Sequence, residues 1–175
     1  MGIYFKHSHR VYWAGEFEDI VNAFKGQNLK GEPTHESMYT TNVESLILAA
    51  AIGLKHNRYS NLVTNDRREI QHDTFESQGL AKLKNEAGVK CVWYMVLLVI
   101  IYRKNEKIME DGKENEEELI DTFQKLAHGG LEYLRGAAEK QKDPTYQTIL
   151  YSEIKESMES FNKNDAKGLV DLFSI

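Results

Sequence analysis

The chain has 175 residues, 41% of them hydrophobic and 28% charged, which is enough for one compact domain with a real core and too little for two ordinary ones. Two prolines and 12 glycines exclude a collagenous or linker-dominated protein, and the apolar fraction is too high for general disorder. With 22 Lys and Arg against 27 Asp and Glu, the net charge of −5 argues against a protein that coats nucleic acid by neutralising phosphates.

The charge is uneven along the chain. Residues 55–90 hold seven basic and five acidic residues, whereas 104–121 hold eight acidic and three basic, so one part could face an anion that the other would repel. A single cysteine, Cys91, cannot make an intrachain disulfide, and no signal-peptide pattern opens the chain, so a reducing cytoplasm is the expected location. The longest apolar run, residues 91–102, has twelve residues, short of the roughly 20 that a membrane helix needs. It is expected as a buried core helix, and no membrane partner is expected.

In chain order, residues 3–5 and 11–13 are short β-prone runs around a polar segment, which predicts a small hairpin or an irregular arm. Phe17, Ile20, Val21 and Phe24 fall on one helical face, with Glu16, Glu18 and Asp19 at its positive end and Gly26 placed to stop it. Residues 27–37 are a loop. Thr41 and Glu44 form a capping box that starts a helix with Val43, Leu46, Ile47 and Ala50 as its main stripe. The rest of that helix is apolar too, so it should be enclosed on most sides and end at Gly53 with Leu54 folding back.

Residues 56–74 read as loop with one or two short strands, 80–87 as a helix, and 92–103 as an apolar helix in which Trp93, Tyr94 and Met95 suit a core. After an acidic connection, the apolar phase of Phe123, Ala127, Leu131, Leu134 and Ala138 passes unbroken through Gly129 and Gly130. This favours one helix, kinked or straight, in which the glycines let another backbone of the domain approach. Asp143 and Pro144 then open a helix bearing Tyr146, Leu150, Ile154, Met158 and Phe161, and a tail helix follows over 165–173. The expected fold is mainly α: a single compact helical domain of about six helices with a minor β-hairpin or short strands. Residues 1–15 are its arm or hairpin, 16–162 its core and 163–175 its C-terminal tail helix.

Chemistry-bearing patterns are sparse. His7 and His9 could supply two metal ligands from an extended segment, but a zinc site needs three or four and a polar turn is the better reading. His35, His56, His72 and His128 are isolated in sequence. Asp143, Glu153 and Lys155 have the residue types of a metal-dependent nuclease, yet read better as a helix cap and a solvated helix face. Cys91 has no recognisable base beside it, and phosphate-loop, dinucleotide and serine-elbow motifs are missing, so no enzyme, catalytic residue, metal or cofactor is expected. Lys55, Arg58, Arg67 and Arg68 are the candidate phosphate contacts, with Tyr59 beside them to stack on a base. The competing role is a solvated loop whose arginines pair with Asp66, Glu69 and Asp73.

Several of these pieces together resemble a known family. They are the Glu18, Asp19, Ile20 helix, Tyr39, the segment from Leu46 through Ala50, Ala51, Gly53 and Lys55 with Arg58 after it, the apolar helix over 92–101, and the run Phe123, Gln124, Lys125, Leu126, Ala127, His128, Gly129, Gly130, Leu131, Glu132, Tyr133, Leu134. From about residue 11 to about residue 150 they resemble the fourth of the small dnd system-associated families. Its members accompany bacterial DNA phosphorothioation clusters and their restriction partners. The longer connection over 103–118 and the His-containing arm depart from the pattern, and no catalytic residues carry over. The resemblance implies a non-enzymatic accessory protein of an anti-phage modification or restriction locus, docked on larger subunits of that complex and in contact with double-stranded DNA or not. A DNA-binding regulator and a small nuclease are the alternatives, and a homo-oligomer is left open.

Overall fold

The computed structural model describes residues 10–25, 41–71, 89–110, 112–140 and 145–173, with side chains from residue 161 onward and at 71, 89 and 90 left aside. Strand β1 (Arg10–Ala14) leads through a 3-10 turn (Gly15–Phe17) into α1 (Glu18–Phe24). Helix α2 (Asn42–Lys55), strand β2 (Arg67–Gln71) and helix α3 (Val89–Arg103) follow. A second 3-10 turn (Glu106–Met109) then precedes α4 (Lys113–Glu139) and α5 (Tyr146–Phe173). The fold is mainly α with a minor two-stranded β element, as the patterning predicts.

The strand at residues 11–13 does form, but its partner is distant: β1 and β2 run antiparallel, with Val11 opposite Ile70 and Trp13 opposite Arg68. Period-two alternation turns Val11, Trp13 and Ile70 into the core, and the Tyr12 amide donates to the Gln124 side chain, strapping the ribbon to α4. Residues 3–5, the 80–87 helix, Gly26, Asp143 and Pro144 lie outside the described residues.

At α2 the capping box forms as expected: the Thr41 hydroxyl accepts from the Glu44 amide while Glu44 accepts from the Thr41 amide. Gly53 does not end this helix. Asn57 takes the left-handed conformation instead, at φ 50°, and the Asn57 and Arg58 amides donate to the Leu54 and Gly53 carbonyls in a Schellman turn four residues later.

Gly53 is freed for packing. A Cβ there would sit 2.2 Å from the Leu126 carbonyl oxygen, and one on Gly130 would sit 1.8 Å from that of Ala49, so α2 and α4 cross backbone to backbone. Helix α4 is one continuous element through both glycines, as its phase predicts. The helix at 146 and the tail helix are likewise one element, α5, which runs from Tyr146 to Phe173.

The apolar helix departs from expectation. Cys91, Met95, Val96 and Val99 of α3 are buried, but Trp93, Tyr94, Leu97 and Ile101 are 42–51% exposed. With no charged residue between Lys90 and Arg103, uniform oiliness hides the fact that one side faces solvent.

Candidate functional site

Where α2, α4 and α5 meet, three side chains converge on one carboxylate. Lys55, the last residue of α2, donates from Nζ to Glu153 Oε2 at 2.7 Å and to Glu156 Oε2 at 2.7 Å. The cap residue His56 brings Nε2 to 2.8 Å from the same Glu153 oxygen, and the Tyr133 hydroxyl of α4 donates to Oε1 at 2.8 Å. His56 also stacks on the Tyr133 ring at 3.8 Å. Burial alone would raise the Glu153 pKa, but the bonds from Lys55, His56 and Tyr133 bring it down to about 2. Burial and the bond to Glu153 raise the Tyr133 pKa. Held ionised with its lone pairs occupied, Glu153 is built as a clamp between helices and is ill suited to act as a base. The solvated-face expectation for Glu153 is therefore corrected, while Lys155 is exposed.

The four candidate phosphate contacts are spread over the end of α2, the loop that follows it and β2. Lys55 is engaged in the clamp. Arg68 of β2 lies 3.3 Å from both Glu18 and Asp66, whereas Arg67, on the other face of the strand, is exposed. Arg58 follows the Schellman turn with its side chain exposed and lines a cleft of about 400 Å³ with Glu132, Tyr133, Gly136, Ala137 and Lys140. Tyr59 is not free to stack on a base, since its ring is half-buried and parallel to Tyr102 at 4.8 Å, with Lys125 above it.

Among the histidines, His7, His9, His35 and His72 lie outside the described residues. His128 is buried edge-on to Phe17, with Nδ1 3.5 Å from Glu132. Among the described residues no three His, Cys, Asp or Glu side chains gather as a metal would require. Cys91 is buried, and burial raises its thiol pKa.

Two apolar surfaces complete the inventory. Trp93, Tyr94, Leu97 and Ile101 lie within about 100° of arc on α3. Past the C-terminal end of this stripe Arg103 contacts Glu118 at 3.3 Å and Thr122 at 3.1 Å, tying α3 to the first turns of α4. Separately, Leu48, Ala51 and Ile52 of α2 face Leu150, Ile154 and Met158 of α5 across a groove of about 450 Å³. Sequence periodicity could not distinguish these faces from core. Among the described residues, no helix is long and apolar enough to cross a membrane.

This architecture defines a helical protein strapped by a two-stranded ribbon, with an apolar helix face open to solvent; no solved structure matches it. Over residues 10–172 the chain matches the family described as DNA sulphur modification system-associated protein 4, and it belongs to that family. It is also similar to tRNA hydroxylation protein P of Haemophilus influenzae, at 27% identity over 124 residues. That match covers 67% of this chain and 26% of the relative, so the chain spans about a quarter of that protein's length.

Proposed function

We propose that this chain is a non-enzymatic accessory protein of a DNA sulphur-modification system, which docks through α3 onto a larger protein of that system. The observation that carries the reading is the solvent-facing stripe of Trp93, Tyr94, Leu97 and Ile101. Leaving four large apolar side chains in water is unfavourable unless a partner covers them, and Trp and Tyr are the residue types that dominate interface energetics. Family membership supports the choice of system, and the curated relative, named for tRNA hydroxylation, supports a place within nucleic-acid modification machinery.

The test is co-expression of the tagged chain with the larger proteins of its sulphur-modification locus. The wild-type chain and the Arg67→Glu, Arg68→Glu variant capture a partner, while Trp93→Asp with Leu97→Asp loses roughly thirtyfold in affinity, the loss of about 2 kcal/mol typical of an interface anchor. Undiminished capture by the apolar variant contradicts the proposal.

A further inference from the structure

Much of the positive charge on the described surface is consumed by the fold. Arg10 pairs with Glu69, Lys55 with Glu153 and Glu156, Lys113 with Glu117, Lys125 with Asp121 and Arg135 with Asp19. Arg58 and Lys140 enter no ion pair among the described residues, yet α2 and α4 deliver both to the walls of one cleft. The lining holds a single carboxylate, Glu132, which lies 3.5 Å from His128 Nδ1.

The walls are fixed independently of any ligand. The Arg58 amide donates to the Gly53 carbonyl at 2.7 Å, and the Arg58 carbonyl lies so close to α4 that a Cβ on Gly129 would meet it at 2.6 Å. Tyr133 is held by its stack on His56 and its bond to Glu153. In contrast, among the described residues no atom beyond its own stretch of helix lies within 4 Å of where a Cβ on Gly136 would stand, so this part of the cleft is open.

We infer that the cleft between Arg58 and Lys140 binds a phosphate group. A guanidinium offers paired donors in the geometry that phosphate oxygens accept, and an ammonium lining the same cleft adds a second charge. A cleft of about 400 Å³ accommodates a phosphate together with the group that carries it. The competing role for both cations is to offset the negative ends of α2 and α4, which they follow. That role would change helix stability and confer no response to phosphate. The inference stands on this cleft and does not require docking through α3.

The test is titration calorimetry of the full chain with two probes, inorganic phosphate and a DNA duplex of about 12 base pairs, at several salt concentrations. At least one probe binds. Arg58→Gln and Lys140→Gln each weaken it about tenfold, as expected for a lost charge-assisted hydrogen bond, with melting temperatures close to wild type. Arg67→Gln, which removes the same charge from β2, leaves binding unchanged. If the duplex is the ligand, its salt slope falls by about one for each cation removed. Binding of phosphate alone identifies a small phosphorylated ligand, and binding of duplex alone identifies a phosphodiester. Absence of binding to both probes, or binding that survives the double variant, overturns the inference.

Discussion

Glu153 joins three helices through single atoms: its carboxylate receives Lys55 and His56 from α2 and Tyr133 from α4 while its own backbone belongs to α5. The sign of its pH dependence follows from its depressed pKa of about 2. The unfolded chain binds the proton more readily, so the stabilisation is fully present above the ordinary carboxylate value and is lost as pH falls towards 2. Glu153→Gln should lower stability at neutral pH by about 1–2 kcal/mol after allowance for solvent screening. In urea unfolding, the gap between wild type and variant should close between about pH 4.5 and pH 2; a gap that stays constant on acidification would show that the carboxylate's charge is not what holds the helices. This site was illegible in sequence because Lys55 and His56 stand 98 and 97 residues from their partner. The same distance explains why Lys55 looked free to contact phosphate.

The elements themselves were largely legible, since the signals that define them are local. Thr41 and Glu44 cap α2 across three residues, and the apolar phase of α4 survives two glycines because both serve the crossing with α2. What failed to show was the identity of pairings and endings. Nothing in residues 10–14 specifies a strand at 67–71 as their neighbour, and Asn57 supplied the left-handed turn that Gly53 was expected to make. The crossing gives contrasting expectations for chemically identical changes. Gly130→Ala drives a Cβ into the Ala49 carbonyl and should cost about 3 kcal/mol. Gly136→Ala, with open space around it, should stabilise α4 by about 0.5–1 kcal/mol through helix propensity. Denaturant melts of the two variants check this, and equal effects would mean that the helices do not cross at Gly130.

At the scale of the molecule, the clamp, the glycine crossing and the ribbon join buried faces, while among the described residues the outer face of α3 has no such intramolecular use. A helix oily on every side carries no mark of which side is covered, so its apolar run reads as core. Among the described residues the chain has two tryptophans in opposite settings, Trp13 buried in the ribbon and Trp93 on the open face of α3. Trp13→Phe therefore leaves Trp93 as the single fluorescent reporter on the proposed docking surface. On titration with the purified larger protein of the sulphur-modification locus, Trp93 emission should shift to the blue and become protected from a soluble quencher as water is excluded. Emission and quenching that stay unchanged at saturating partner would contradict docking through α3.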